Sequence, residues 1–270
     1  MNDAASKLIE AADYWIRTRD AFRALIEAGL PPVGSDLDED LSKVLNRLST
    51  LPQAVAMLNY AFDSADVLHR LWHEPMFHVP TDYVLLRAIV DNAVRVIWLL
   101  EPDDSEGRLT RAWLLARDAP ARTKRRITAS LREDSARPSA QDMRAAAVNA
   151  TSYMKDLDHL FAEALHRLPS PQVLRASDFI AAAERHPLHD GVDGGVTRLW
   201  SQLSELVHGT ITATEHRMVD DPPIAHSRVT RANVDDLALT AALVSRIVEG
   251  ALDLFYTRFA PRTATSQCEQ

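Results

Sequence analysis

Between Thr81 and Pro102 the chain reads TDYVLLRAIVDNAVRVIWLLEP, and fourteen of the first twenty residues are apolar or aromatic. At the helical step of about 100° per residue, with Arg87 at zero, Asp91 falls near 40° and Arg95 near 80°, so the three charges share one narrow arc. Val84 and Trp98 fall inside that arc as well, and Leu85, Leu86, Ile89, Val90, Ala93, Val94, Val96, Ile97, Leu99 and Leu100 cover most of the remaining circumference. A helix apolar over so wide an angle needs neighbours on several sides. The expected fold is therefore all-α, a multi-helix bundle around a central apolar helix, residues 81–101.

The same stretch is long enough to span a bilayer, at about 20 residues. Its three ionised side chains would each cost about 2.5–3.5 kcal/mol on an insertion scale, more than its apolar residues return. No second candidate span exists, and the start MNDAASKLIEAADYW lacks a basic residue run followed by an apolar one. A soluble, cytoplasmic protein with no membrane association is the expectation. The net charge of −8 argues against a globally basic nucleic-acid binder. The one cysteine, Cys268, allows no internal disulfide. Of the 30 basic residues only four are lysine, a bias that points to GC-rich bacterial coding rather than to a physical requirement.

Prolines and apolar periodicity divide the chain. Helices are expected over 3–28, from the acidic run at Asp36 to Leu48, from Pro52 to Trp72, over the central segment, and over 105–133 with a kink or break at Pro120. Further helices are expected over 139–167, from Ser177 to just before Pro187, from about 194 to 216, and over 231–259. In sequence order this gives an N-terminal helical subdomain, 1–78, a main helical bundle, 79–260, and a disordered tail, 261–270.

The segment TRLWSQLSELVHGT supplies a polar flank. Val196, Leu199, Trp200, Leu203, Leu206 and Val207 form its core stripe, while Thr197, Ser201, Ser204 and His208 recur at spacings of four, three and four. Three hydroxyls and an imidazole on one flank can bind a ligand or move a proton. They can equally belong to a close helix crossing with its polar groups satisfied. The stripe Arg87, Asp91, Arg95 is likewise either an exposed i,i+4 ladder or a buried network lining a pocket that attracts an anion. If buried, its natural neighbour is His208. Arg87, Asp91, Arg95, Ser204 and His208 are thus the candidate ligand-binding residues, and His208 is the one candidate for catalysis.

Arg87, Asp91, Arg95 and Trp98 to Pro102 on one helix, with Ser204 to Gly209 on another, resemble a set of uncharacterised all-helical proteins of GC-rich bacteria. The match spans about residues 80–260, on short motifs. More distantly the chain is similar to the HEPN superfamily, helical bundles that include RNA-cleaving enzymes. That superfamily's catalytic pattern is an arginine, four to six intervening residues, then a histidine. Before His208 the corresponding positions, 201–203, hold Ser, Gln and Leu, and Arg198 lies too far upstream. The resemblance implies a helical bundle, with a HEPN-like enzyme acting on RNA or nucleotides as the alternative to a non-catalytic binding or interaction protein.

Other signals are weaker. The stretch 108–132 carries eight basic residues and could meet nucleic acid or an acidic partner, but charged helix faces are commonly just solvated. His69 and His73 share a helix face at i,i+4, with Glu74 and His78 nearby, and His186 and His189 flank Asp190, yet no HExxH or cysteine partner accompanies either pair. The segment GVDGG follows no strand and precedes no GK[ST], and no GxSxG elbow is present. No metal and no cofactor is expected. A homodimer is expected, because the final helix has a second apolar arc, Leu239, Leu243, Ile247, Leu254, Phe255 and Phe259, beyond its core stripe. The competing cover for that arc is the N-terminal helices of the same chain.

Overall fold

The computed structural model describes residues 3–44, 48–74, 79–133, 139–186, 195–207, 218–220 and 230–262. Among them are nine helices and one short ribbon. The helices are α1 (Asp3–Glu27), α2 (Asp36–Lys43), α3 (Thr50–His73), α4 (Val79–Leu100), α5 (Ser105–Glu133), α6 (Ala140–Leu165), α7 (Ala176–Glu184), α8 (Gly195–Val207) and α9 (Val234–Phe259). The ribbon pairs β1 (Met218–Asp220) with β2 (Thr230–Ala232) antiparallel, Val219 facing Arg231. The protein is an all-α, multi-helix structure, and none of its described helices is long and apolar enough to cross a membrane.

The chain forms two compact units, each assembled from three segments. The first takes residues 1–31, 54–98 and 177–257; the second takes 32–53, 99–176 and 258–270. Neither is contiguous, so this division differs from the sequence-order one at 78/79.

In the first unit the apolar stripes of α1, α3 and α9 meet through aromatic side chains. Phe22 of α1 packs against Phe62 of α3 at 5.7 Å and edge-on against Phe255 of α9 at 5.3 Å. Trp15 lies 5.7 Å from Trp72 and donates its indole N–H to Ser245 Oγ at 3.0 Å. Such rings bury large areas and prefer these tilted geometries. From α4, Leu86, Ile89, Val90, Ala93, Val94, Val96 and Ile97 are all buried, as a helix apolar over most of its circumference requires. Tyr83 of α4 donates to Asp236 Oδ2 of α9 at 2.7 Å.

The second apolar arc of α9 is mostly covered inside this chain. Ile247 and Phe255 are buried, Leu243 and Leu254 half-buried, and Leu239 alone is well exposed, at 62%. The ring contacts from Phe22 show that α1 supplies part of this cover. The surface that motivated a homodimer is correspondingly small.

The second unit is built on the pairing of α5 with α6. Asp158 of α6 accepts the Trp113 indole N–H at 2.9 Å and Arg117 Nε at 2.9 Å. The helix α5 is not broken at Pro120 but continues as one helix through it. The helix α2 begins at Ser35, whose hydroxyl accepts the Asp38 amide at 3.1 Å while the Asp38 carboxylate accepts the Gly34 amide at 3.0 Å. This reciprocal pair satisfies two amides at the helix start. The expected disordered tail begins with two anchored residues: Pro261 bridges to Ser35, and Arg262 Nε donates to Asp36 Oδ1 at 2.6 Å. The rest of that tail, Cys268 included, lies outside the described residues.

Candidate functional site

Two of the five candidate residues form one network with a residue assigned from sequence to the core. Arg87 Nε stands 2.9 Å from Asp91 Oδ1, one turn along α4, a close ionic contact rather than an aligned hydrogen bond. Arg87 Nη1 donates to the backbone carbonyl of Trp200 at 2.8 Å, and its guanidinium carbon lies 3.8 Å above the Trp200 ring. The Trp200 indole N–H then donates to Asp91 Oδ1 at 3.0 Å. One carboxylate oxygen thus serves both the guanidinium and the indole, and the guanidinium stacks on the ring that closes the loop. Arginine is suited to this, because its planar cation can stack and donate at once. The Arg87 side chain is 13% exposed, so the stripe is neither fully buried nor a solvated ladder.

The helix α8 is held in place for this contact at its N-terminus. Gly195 opens it with φ of 76°, and a Cβ there would come within 2.7 Å of the Glu184 carboxylate. That carboxylate, at the end of α7, accepts the Thr197 amide at 2.7 Å. A negative group on the first amides of a helix is favourable to both the free N–H groups and the helix dipole.

Arg95 stands apart from the Arg87 network. Half-buried, it places its guanidinium carbon 5.4 Å from the centroid of Phe179 on α7, and that ring meets Trp98 edge-on at 5.1 Å. Ser204 is half-buried on α8, one turn beyond Trp200. His208 lies outside the described residues, as do Gly209, His78, His189 and Asp190. The contact expected between this stripe and His208 therefore falls outside the described residues, and what is described is the contact of Arg87 and Asp91 with Trp200. Sequence reading missed Trp200, and the one available signal was an indole N–H on a helix whose core stripe otherwise has no donor.

In the second unit the first part of the basic stretch is already paired. Arg108 is wholly buried, and all five of its N–H groups have acceptors: both Asp40 oxygens at 2.8 and 3.0 Å, and the carbonyls of Pro102, Asp103 and Asp36 at 3.1, 2.7 and 3.3 Å. Arg111 pairs with Glu101 at 2.8 Å and Arg117 with Asp158. Arg258 donates to Asp36, to Asp103 and to the carbonyls of Leu100 and Glu101. Burial pushes the Asp36 carboxyl upward, but the hydrogen bonds from Arg258 and Arg262 and the charge of Arg108 outweigh it and hold it below the usual carboxylate range. This cluster fastens α2 and the α4–α5 link, and every donor of Arg108 is spent internally.

Near the other end of α3, Asp13 of α1 joins the two histidines noted from the sequence. Its Oδ1 is 3.0 Å from His69 Nε2 and 3.9 Å from His73 Nε2. A cleft of about 560 Å³ lies along α1 and α9 in the first unit, with Lys7, Glu10, Tyr14, Arg246 and Glu249 on its walls. Burial, followed by the charge of Glu249, raises the Tyr14 hydroxyl above its ordinary value. The mixture of charges there selects no ligand class. Comparison of the chain with family models, with curated proteins and with solved structures yields no match.

Proposed function

We propose that the protein is a non-catalytic helical binding module that holds a small anion beside α4, with Arg95 as the contacting cation. The observation that carries this reading is the contrast between neighbouring arginines on α4. Arg87 is engaged by Asp91 and Trp200, so it braces α4 against α8 and is not available. Among the described residues Arg95 meets an aromatic ring and no carboxylate. A guanidinium held on a ring face, without a counter-ion, is suited to a carboxylate or phosphate group.

The experiment is thermal unfolding of the purified protein with added phosphate, citrate or a nucleoside monophosphate. The expected result is a saturable rise in Tm that Arg95→Gln abolishes and Asp91→Asn retains. No saturable rise, or one that Arg95→Gln leaves intact, would overturn the proposal.

A HEPN-like enzyme acting on RNA or nucleotides is the second reading. What favours it is the contact of Trp200 with Arg87 and Asp91, because the helices that carry the resemblance then belong to one site. Incubation with labelled RNA separates the two. Cleavage lost on His208→Ala, with the circular dichroism spectrum unchanged, would replace the first reading with the second.

A further inference from the structure

Asp13, His69 and His73 bring together three side chains that are each ordinary alone. On α3 the histidines are four residues apart and therefore on one face. Asp13 arrives from α1, 56 residues earlier than His69. One ligating atom from each lies within 4.8 Å of the other two. A tetrahedral zinc ion with bonds of about 2.0–2.1 Å separates its ligand atoms by about 3.3 Å. The observed Asp13 distances of 3.0 and 3.9 Å lie on either side of that value, and the edge between the two histidines is no longer than 4.8 Å, so side-chain rotation closes the three on an ion.

The ring orientations fit as well. His73 Nδ1 lies 2.8 Å from the backbone carbonyl of His69, an acceptor only. The proton of neutral His73 therefore sits on Nδ1, and its Nε2 presents a lone pair toward Asp13. A carbonyl on the far nitrogen is the usual second contact of a metal-bound imidazole, fixing both tautomer and orientation. The two rings lie 4.3 Å apart, close enough to share one ion. In its absence His69 donates from Nε2 to Asp13, so this ring must carry its proton on Nδ1 to take part.

The scaffold beneath is closely packed and the cluster is open to solvent. Trp15, two residues after Asp13, and Trp72, one before His73, are buried and packed on each other. The side chains of Asp13, His69 and His73 are 40%, 30% and 45% exposed, enough for an ion to enter. The charge of Arg70, between the histidines, is drawn off by Asp66.

We infer that Asp13, His69 and His73 form a binding site for a divalent transition-metal ion of the zinc class, which clasps α1 to α3 and keeps a fourth position for water. Two imidazoles and one carboxylate favour such an ion over calcium or magnesium, which take oxygen ligands. Arg70 to Trp72 separate the histidines, and no glutamate follows the first, so the metal-protease arrangement is not formed.

The test uses the full chain, stripped with chelator and dialysed, then titrated with zinc chloride by calorimetry and with cobalt(II) by visible absorption. One zinc per chain, a rise in Tm and the intense absorption of tetrahedral cobalt are expected. Asp13→Asn and His73→Gln alter partly exposed side chains, so with the circular dichroism spectrum unchanged each should weaken binding by more than the about 10–100-fold that loss of an outer-shell partner costs and remove the cobalt bands. No saturable binding would show only a surface Asp–His pair. Unchanged binding in the double variant would place the metal elsewhere. Either result overturns the inference.

Discussion

Arg108 and Arg87 both stand on helices, both lie close to an aspartate, and both look in the sequence like members of charged stripes. Arg108 is buried with all five N–H groups matched, two of them to Asp40 and three to backbone carbonyls. Arg87 has one ionic contact, one carbonyl and an aromatic face, and keeps some exposure. A buried charge must be compensated completely, because an unmatched donor or ion away from water costs several kcal/mol. A half-buried charge need not be, since water serves what the protein leaves. Full closure makes Arg108 a fastening and nothing else. Partial closure leaves the Arg87 side of α4 in part open to solvent, and it is there that the anion site proposed at Arg95 would lie.

The comparison breaks most sharply at Arg108. Arg108→Met leaves Asp40, itself fully buried, as an isolated charge and strands three carbonyls. Loss of one partner of a buried pair costs about 3–5 kcal/mol. Urea unfolding followed by far-ultraviolet circular dichroism should show a loss of that size, or selective melting of the second unit. The double variant Arg108→Met, Asp40→Leu removes both charges and should recover most of the loss. If the single variant costs less than about 1 kcal/mol, the cluster is not the fastening its geometry describes.

At Arg87 the same measurement should give a smaller effect. Arg87→Met removes a charged hydrogen bond to a carbonyl and a stacked cation, while Asp91 keeps the indole donor and its access to solvent. About 1–2 kcal/mol is expected. Trp200→Phe retains a ring for stacking and deletes only the N–H to Asp91, so about 1 kcal/mol is expected. Because the three groups touch, the losses should not add: a cycle of Arg87→Met and Trp200→Phe should show coupling of at least about 0.5 kcal/mol. Additive losses would dissolve the network into unrelated contacts.

How far these roles can be read from the chain differs by kind of information. Helix extents follow from local rules. The span 3–28 became Asp3–Glu27 and 105–133 became Ser105–Glu133, because apolar period and end signals act over a few residues. Partnerships do not. Nothing near Arg108 in sequence indicates Asp40, 68 residues earlier, so eight basic residues read as one solvated face while the first of them was in fact buried. Asp13 is invisible beside His69 for the same reason. Trp200 was assigned to the core by its period, but it is only half-buried, with its ring under Arg87 and its N–H on Asp91. The turn of chain between Gly195 and Glu184 needed coordinates, since a positive φ and a capping carboxylate eleven residues upstream leave no local pattern.

The smallest effect is expected where the basic stretch is not engaged. Arg125 and Arg126 are exposed on α5, beyond the part that carries the Arg108, Arg111 and Arg117 pairs. Replacing both with glutamine should change stability by no more than about 0.5 kcal/mol, as is usual for surface positions away from such features. Their other conceivable role is contact with phosphates, which would show as affinity falling steeply with salt. With the neighbouring arginines already spent on Asp40, Glu101, Asp158 and Asp118 and a net charge of −8 on the whole chain, the four other cations of the stretch, Lys124, Arg125, Arg126 and Arg132, give little hold on a nucleic acid. An electrophoretic shift assay with labelled single- and double-stranded RNA should therefore detect no binding at physiological salt that the double glutamine variant weakens. A salt-dependent shift lost in that variant would make the far half of α5 a working surface, and the contrast between spent and free arginines would then extend to the second unit as well as the first.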